Sequence, residues 1–404
     1  MKEISGGICA PKGFYAAGIH AGIRKNKNKP DLALITSEVC GSAASCYTQN
    51  LVKGAPIWVN KKHLADGRAQ AIVCNSGNAN TCNADGIEVA EKMCAIVAEN
   101  TDIKEENVIV ASTGVIGLPL DTAPIENAMP DLVKALNSDG SNAAARAIMT
   151  TDTVEKEIAV EFEIGGKVCR LGGIAKGSGM IHPNMATMLV FITTDTAITA
   201  EMLSCALSQD IKDSFNMISI DGDTSTNDMV SVIANGMAGN AVIDSENGDF
   251  EVFRKALNKV TTSLCRRIAK DGEGATKLLE CHVSGALTVT DAKMIAKSVI
   301  TSTLFKAAMF GADANWGRIL CAIGYSGANA DVGGIAVTLS SAAGSVKVCE
   351  NGSGVDFSED LAKKVLTEDE IIIDISLSDG AGSAVAWGCD LTYDYVKING
   401  DYRT

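Results

Sequence analysis

An α/β layered fold is predicted by three features of the chain. Short β-favouring apolar runs alternate with stretches of helical apolar spacing, as where Val108-Ile-Val-Ala-Ser112 follows the stripe Ile87, Ala90, Met93, Cys94 and Val97. Glycine supplies 39 of 404 residues, enough for tight turns between many short elements. Aromatic residues make up only 4%, and the small residues in their place suit close packing of helices on sheets. A chain of this length exceeds a usual single core, so two domains are expected, 1–280 and a smaller α/β domain at 281–404.

Taken in order, residues 13–30 are rich in Gly, Ala and Lys and read as an exposed, turn-rich entry. Its run Arg24-Lys25-Asn26-Lys27-Asn28-Lys29 reads as a surface loop. Asp31–Thr36 is a predicted strand, as is Ala71–Cys74, which the polar cluster Asn75–Asn80 should end. The stripe above predicts a helix over Asp85–Glu99. Val108–Ser112 is the next strand, with Thr113-Gly114 opening the loop after it. A helix over Asn142–Met149 should run into the polar Thr150-Thr151-Asp152. Ile158–Ile164 and Lys167–Leu171 pair through Gly165-Gly166, a hairpin-type turn. Thr199 is the expected N-cap of a helix over Ala200–Phe215, and Phe253, Leu257, Val260, Leu264 and Ile268 stripe another over Phe250–Ala269. Beyond lie a strand at Lys277–Val283 and helices at Asp291–Ser302, Trp316–Ile323 and Ser358–Leu366. The last predicted strands are Ile335–Leu339, Ile371–Leu377 and Ala384–Gly388.

The formal charge of −14 opposes nucleic-acid binding, which needs a basic face. Thirteen cysteines without a CxxC pair, and four scattered histidines, match no zinc spacing, so no metal and reduced, mostly buried thiols are expected. The start lacks a signal-peptide core and no run approaches a membrane span, so the expected location is the cytoplasm, with no membrane partner.

The stretch 172–195, GGIAKGSGMIHPNMATMLVFITTD, carries the functional question. Glycines and Pro183 make a sharp loop, and Met188–Ile192 read as the buried strand it enters. Spacing alone leaves two readings open. Thr187 is either a β-favouring residue at a loop-to-strand joint or a nucleophile activated by its own α-amine after cleavage at Ala186-Thr187.

KGSGMIHPNMATML resembles the self-cleavage segment of the ornithine acetyltransferases, enzymes of arginine biosynthesis, and the resemblance extends over nearly the whole chain. It implies an ornithine acetyltransferase/DmpA-like sandwich of sheets and helices, and a catalytic core in 1–280. It further implies a precursor that cleaves itself between Ala186 and Thr187, giving an α chain 1–186 and a β chain 187–404 in an α2β2 heterotetramer. Thr187 would be the nucleophile, its new α-amine the base. In Ser112-Thr113-Gly114-Val-Ile-Gly117, the Thr113 hydroxyl and Gly114 N–H would form the oxyanion hole. Thr150, Lys176, Glu273, Asn399 and the terminal Thr404 match substrate-binding residues of the family. Without the resemblance, each has an ordinary alternative: a turn after a strand, a helix end, a solvated lysine, a loop carboxylate and a frayed tail. His182 is given no catalytic role, since an α-amine with a reference pKa of about 7.7–8.0 serves as base near neutrality.

The activity so implied moves acetyl from N-acetylornithine to glutamate through an acetyl-threonine, with no cofactor. Some members of the family also take acetyl-CoA as a substrate. The rival readings are a self-processing N-terminal-nucleophile aminopeptidase or amidohydrolase, and a non-enzymatic α/β protein.

Overall fold

A computed structural model describes residues 1–26, 28–182 and 188–401. The chain forms two compact units, Met1–Gly177 with Asn184–Phe215 and Thr224–Leu264, and Ser178–Pro183 with Asn216–Asp223 and Cys265–Thr404.

Among the described residues, nine strands make the sheet of the first unit. Its order is Lys2–Ile4, Lys156–Ile164, Lys167–Lys176, Leu189–Thr194, Met229–Ala234, Leu32–Tyr47, Arg68–Asn78 and Val108–Val115, with Phe14–Ile19 also paired to Leu32–Tyr47. The apolar runs of these strands are nearly continuous because both faces are covered. Successive side chains point to opposite faces, so Ala33, Ile35, Ile72 and Cys74 join one core while Leu32, Leu34, Ala71 and Val73 join the other. The first core takes Ala144, Ala145, Ala147 and Ile148 from the helix Ser141–Ile148. The second is closed by Gly86–Asn100 and Ala123–Lys134, through residues such as Met93, Val97, Ile125 and Met129.

The second unit holds a seven-stranded sheet in the order Ser353–Gly354, Gly344–Glu350, Ala336–Ser341, Glu370–Ser376, Leu278–Ala286, Gly382–Cys389 and Ile218–Ser219. The helix Val289–Thr301 packs on its strands Leu278–Ala286 and Gly382–Cys389. The boundary expected at 280/281 falls inside Leu278–Ala286, which is paired along its length on both sides.

Several predicted elements form within a residue or two of the expected bounds. Gly165-Gly166 turns the hairpin of Lys156–Ile164 and Lys167–Lys176. The Thr199 hydroxyl accepts from Met202 N at 3.2 Å, capping Ala200–Asp210, and Ser358 caps Glu359–Thr367 through Leu361 N.

Three expectations are corrected. Phe14–Ile19 was expected in an exposed entry but is a strand, because Phe14, Ala16 and Ala17 are buried against the core. Asn75–Asn80 does not stop its strand at Cys74: the ladder runs on to Asn78, where Asn75, Ser76 and Asn78 are buried and hydrogen-bonded. Thr113 and Gly114 do not open a loop either. They still pair with Ser76 and Gly77 in parallel, in a strand that reaches Val115.

Candidate active site

The first unit gathers Thr113, Gly114, Thr150 and Lys176. Thr113 and Gly114 lie at the end of Val108–Val115, where the register to Arg68–Asn78 shifts at Gly77 and Asn78. Gly114 takes φ +135°, and a Cβ there would come within 2.3 Å of the Gly77 carbonyl carbon. Only glycine fits, so the backbone of Gly114 can approach its neighbour without a side chain in the way.

Lys176 ends the strand Lys167–Lys176 and is only 8% exposed. Its Nζ reaches Thr113 Oγ1 at 3.4 Å, so a cation and a hydroxyl donor stand side by side next to the Gly114 backbone. That arrangement can stabilise an oxyanion.

Thr150 follows the helix Ser141–Ile148, and its N–H donates to Asp152 Oδ2 at 3.1 Å. Asp152 was not among the expected site residues, yet it ties the region together. Its Oδ1 accepts from Gly177 N–H and from Lys156 Nζ, both at 2.7 Å. Burial resists ionisation of this carboxyl, but Lys156 and Lys176 with the Gly177 N–H outweigh it and hold Asp152 well below the usual carboxylate range. The carboxylate thereby sets the backbone on which both Thr150 and Lys176 are mounted.

Asn227 is a second residue missed from sequence. Its Nδ2 donates to Ala79 O at 2.5 Å and Ser112 O at 3.0 Å, and its Oδ1 accepts from the hydroxyls of Thr81 and Thr226. The amide thus makes four hydrogen bonds, and one of them holds Ser112, the residue before Thr113. In the sequence both Asp152 and Asn227 sit in polar runs and read as solvated turns. No local signal separates a buried polar residue from an exposed one there.

The second unit holds Glu273 and Asn399. Glu273 is buried, and its Oε2 accepts from Asn399 Nδ2 at 2.7 Å. Asn399 belongs to the helix Tyr393–Gly400. A Cβ on Gly179 would meet Glu273 Oε2 at 2.4 Å, so glycine at 179 leaves room for the carboxylate. Asp221 accepts from Met180 N at 2.6 Å and Ile181 N at 2.9 Å, and holds Met180 at φ +57°. His182 Nδ1 lies 3.1 Å from Ser219 Oγ. Burial, aided by the nearby Lys297 cation, pushes its imidazole down to about 4, so it is neutral at pH 7.

Ala186 and Thr187, the expected cleavage site and nucleophile, and the terminal Thr404 lie outside the described residues. Among the described residues the thirteen cysteines are free and no group of three or more His, Cys, Asp or Glu is arranged to hold a metal. No helix there is long and apolar enough to cross a membrane.

The ArgJ family model matches residues 15–404. The "arginine biosynthesis bifunctional protein ArgJ 1" of Clostridium acetobutylicum is 53% identical over 395 residues, covering 97% of this chain and 96% of the relative. The "arginine biosynthesis bifunctional protein ArgJ" of Caldanaerobacter subterraneus subsp. tengcongensis is 51% identical over 405 residues and the full length of both chains. A crystal structure of the ArgJ bifunctional protein from Bacillus halodurans is 46% identical, with a TM-score of 0.50, covering 52% of this chain and 97% of that one. With a family match over nearly its whole length and relatives of about half identity end to end, this chain belongs to the ArgJ family of arginine-biosynthesis enzymes.

Proposed function

We propose that the protein is a self-cleaving glutamate N-acetyltransferase that uses N2-acetylornithine as donor. The precursor cleaves between Ala186 and Thr187, and the freed α-amine of Thr187 takes the proton of its own hydroxyl as that oxygen attacks the acetyl carbonyl. Thr113 and the Gly114 N–H stabilise the tetrahedral anion, with the Lys176 cation beside them. Ornithine leaves with the proton, and glutamate then takes the acetyl group from the threonine ester. This is ping-pong chemistry, and it draws on no metal or organic cofactor.

The observation that carries the proposal is the 3.4 Å approach of Lys176 Nζ to the Thr113 hydroxyl, beside a Gly114 whose backbone is kept bare. Membership of the ArgJ family supports it. The Glu273 carboxylate suits the side-chain ammonium of ornithine, and Lys176 suits an α-carboxylate in a chain that is acidic overall. Asn399 and Thr404 complete the proposed substrate contacts, as Thr150 does beside Lys176. The relatives are named bifunctional, and acetyl-CoA is the second donor proposed here. The processed α and β chains are proposed to assemble as an α2β2 heterotetramer in the cytoplasm.

The test is release of ornithine from N2-acetylornithine, followed with and without glutamate. Release that depends on glutamate and yields N-acetylglutamate is expected. Rapid release without an acceptor would mean a hydrolase. Acetyl-CoA and glutamate as sole substrates decide the second activity.

Thr113→Val removes one oxyanion donor and keeps the side-chain volume. We expect kcat to fall about 10²–10³-fold with KM for N2-acetylornithine little changed. A KM effect alone would make Thr113 a binding residue.

A further inference from the structure

The strand that carries Thr113 and Gly114 leaves its ladder irregularly. Ser76 pairs with Thr113 and Gly77 with Gly114, after which Asn78 pairs with both Thr113 and Val115. A shift of this kind bends a strand and re-aims the side chains beside it. The direction of the Thr113 hydroxyl and the Gly114 N–H therefore depends on what clamps the shift.

Asn227 spans it. Its Nδ2 donates to the carbonyl of Ser112, just before Thr113 on one strand, at 3.0 Å. The same nitrogen donates at 2.5 Å to the carbonyl of Ala79, just after Asn78 on the other. Ala79 N–H in turn donates to Val115 O at 2.9 Å, so the irregular pairs are closed on both sides. The amide is itself fixed in orientation, since Oδ1 accepts from the hydroxyls of Thr81 at 2.5 Å and Thr226 at 2.6 Å. Asn227 is only 6% exposed. Gly54 makes room for it: a Cβ there would stand 2.6 Å from Asn227 Nδ2. The Gly54 N–H donates to Thr226 O at 2.9 Å, which keeps that bare backbone against the amide.

The residue type suits this duty. Bridging two carbonyls takes one group with two N–H donors, and fixing its orientation takes an acceptor at the other end. The Asn amide has both on a short side chain. Aspartate would turn an acceptor toward both carbonyls, and an apolar residue of similar size would bridge nothing.

We propose that Asn227 is the positioning residue of the oxyanion hole, acting through Ser112 and Ala79 to set the angle of the Thr113 hydroxyl and the Gly114 N–H. The inference rests on the oxyanion role proposed above for those two groups. A hydrogen-bond donor stabilises a developing anion only where the anion's oxygen will stand, so a small change of angle costs rate rather than substrate binding.

The experiment measures steady-state acetyl transfer from N2-acetylornithine to glutamate by processed enzyme, with thermal melts as a check of folding. Asn227→Ala is expected to lower kcat about 10–10²-fold and to leave KM for N2-acetylornithine within about twofold. Gly54→Ala keeps every donor and acceptor but pushes the amide aside, and is expected to lower kcat at least about fivefold with KM likewise unchanged. In the Thr113→Val background Asn227→Ala is expected to cost at least about fivefold less than it does alone, because the hydroxyl it positions is gone. A residue that only stabilises the unit would cost as much with Thr113→Val as without it. Losses that multiply, or an Asn227→Ala enzyme with kcat within about twofold of wild type, would overturn the inference while leaving the oxyanion reading intact. A Thr113→Val enzyme with wild-type kcat would instead sink the oxyanion reading, and this inference with it. If Asn227→Ala does not fold or is not processed, Gly54→Ala decides by the same two measures, alone and with Thr113→Val.

Discussion

Thr187→Ala is expected to leave the protein as one uncut chain and to lower acetyl transfer by about 10⁶-fold, the order of loss when a covalent nucleophile is removed. Two effects add up in this variant. Without the hydroxyl there is no attack on the Ala186 carbonyl, so the precursor persists. Without cleavage there is no α-amine to act as base, and no oxygen to carry acetyl. Thr187→Ser separates the two, since it keeps a hydroxyl and should give both cleavage and measurable turnover. Denaturing electrophoresis reads the first effect. The second is read by incubating wild type with N2-acetylornithine and no glutamate, where the β chain should gain the mass of one acetyl group. A Thr187→Ala protein that stays whole and still turns over at the wild-type rate would reject the mechanism.

Asp152→Ala is expected to destabilise the first unit by about 3–5 kcal/mol, which makes it the largest stability effect foreseen from a single side chain. The side chains of Asp152 and Lys156 are both wholly buried, 2.7 Å apart. Removing the carboxylate takes away the ion pair at 2.7 Å from a wholly buried ammonium, whose other contacts include the Val154 carbonyl. It also frees the N–H groups of Thr150 and Gly177, so a rise in KM should accompany the loss of stability. Urea unfolding at pH 7 measures the first, and steady-state kinetics the second. The sign of the pH dependence follows from the depressed Asp152. Its contribution is complete above the unfolded carboxylate value of about 3.9 and is lost as pH falls through the lower folded value. Wild-type stability should therefore drop on acidification below about pH 4. A variant within 1 kcal/mol of wild type at pH 7 would mean that the core relaxes to let water reach Lys156.

The chain itself shows the alternation of apolar strands and striped helices, the glycine turn at 165–166 and the caps at Thr199 and Ser358. These are local: each depends on residues a few positions apart, and the physics of turn, cap and periodicity acts at that range. The runs around Thr187, Thr113, Gly114, Lys176, Glu273 and Asn399 point to a site only through their resemblance to a family, since spacing alone reads each as an ordinary turn, helix end or loop.

Tertiary structure decided the rest. Phe14–Ile19 looks like a turn-rich entry until Leu32–Tyr47 lies beside it and buries Phe14. Thr113 and Gly114 look like the start of a loop until Ser76 and Gly77 continue the ladder past them. Asp152, Asn227 and Asp228 look like solvated polar residues, and become buried only because strands distant in the chain close over them. A carboxylate in water and a carboxylate in a core are the same letter in a sequence. What separates them is the desolvation that neighbours impose and the partners they offer, as Lys156 and Gly177 do for Asp152.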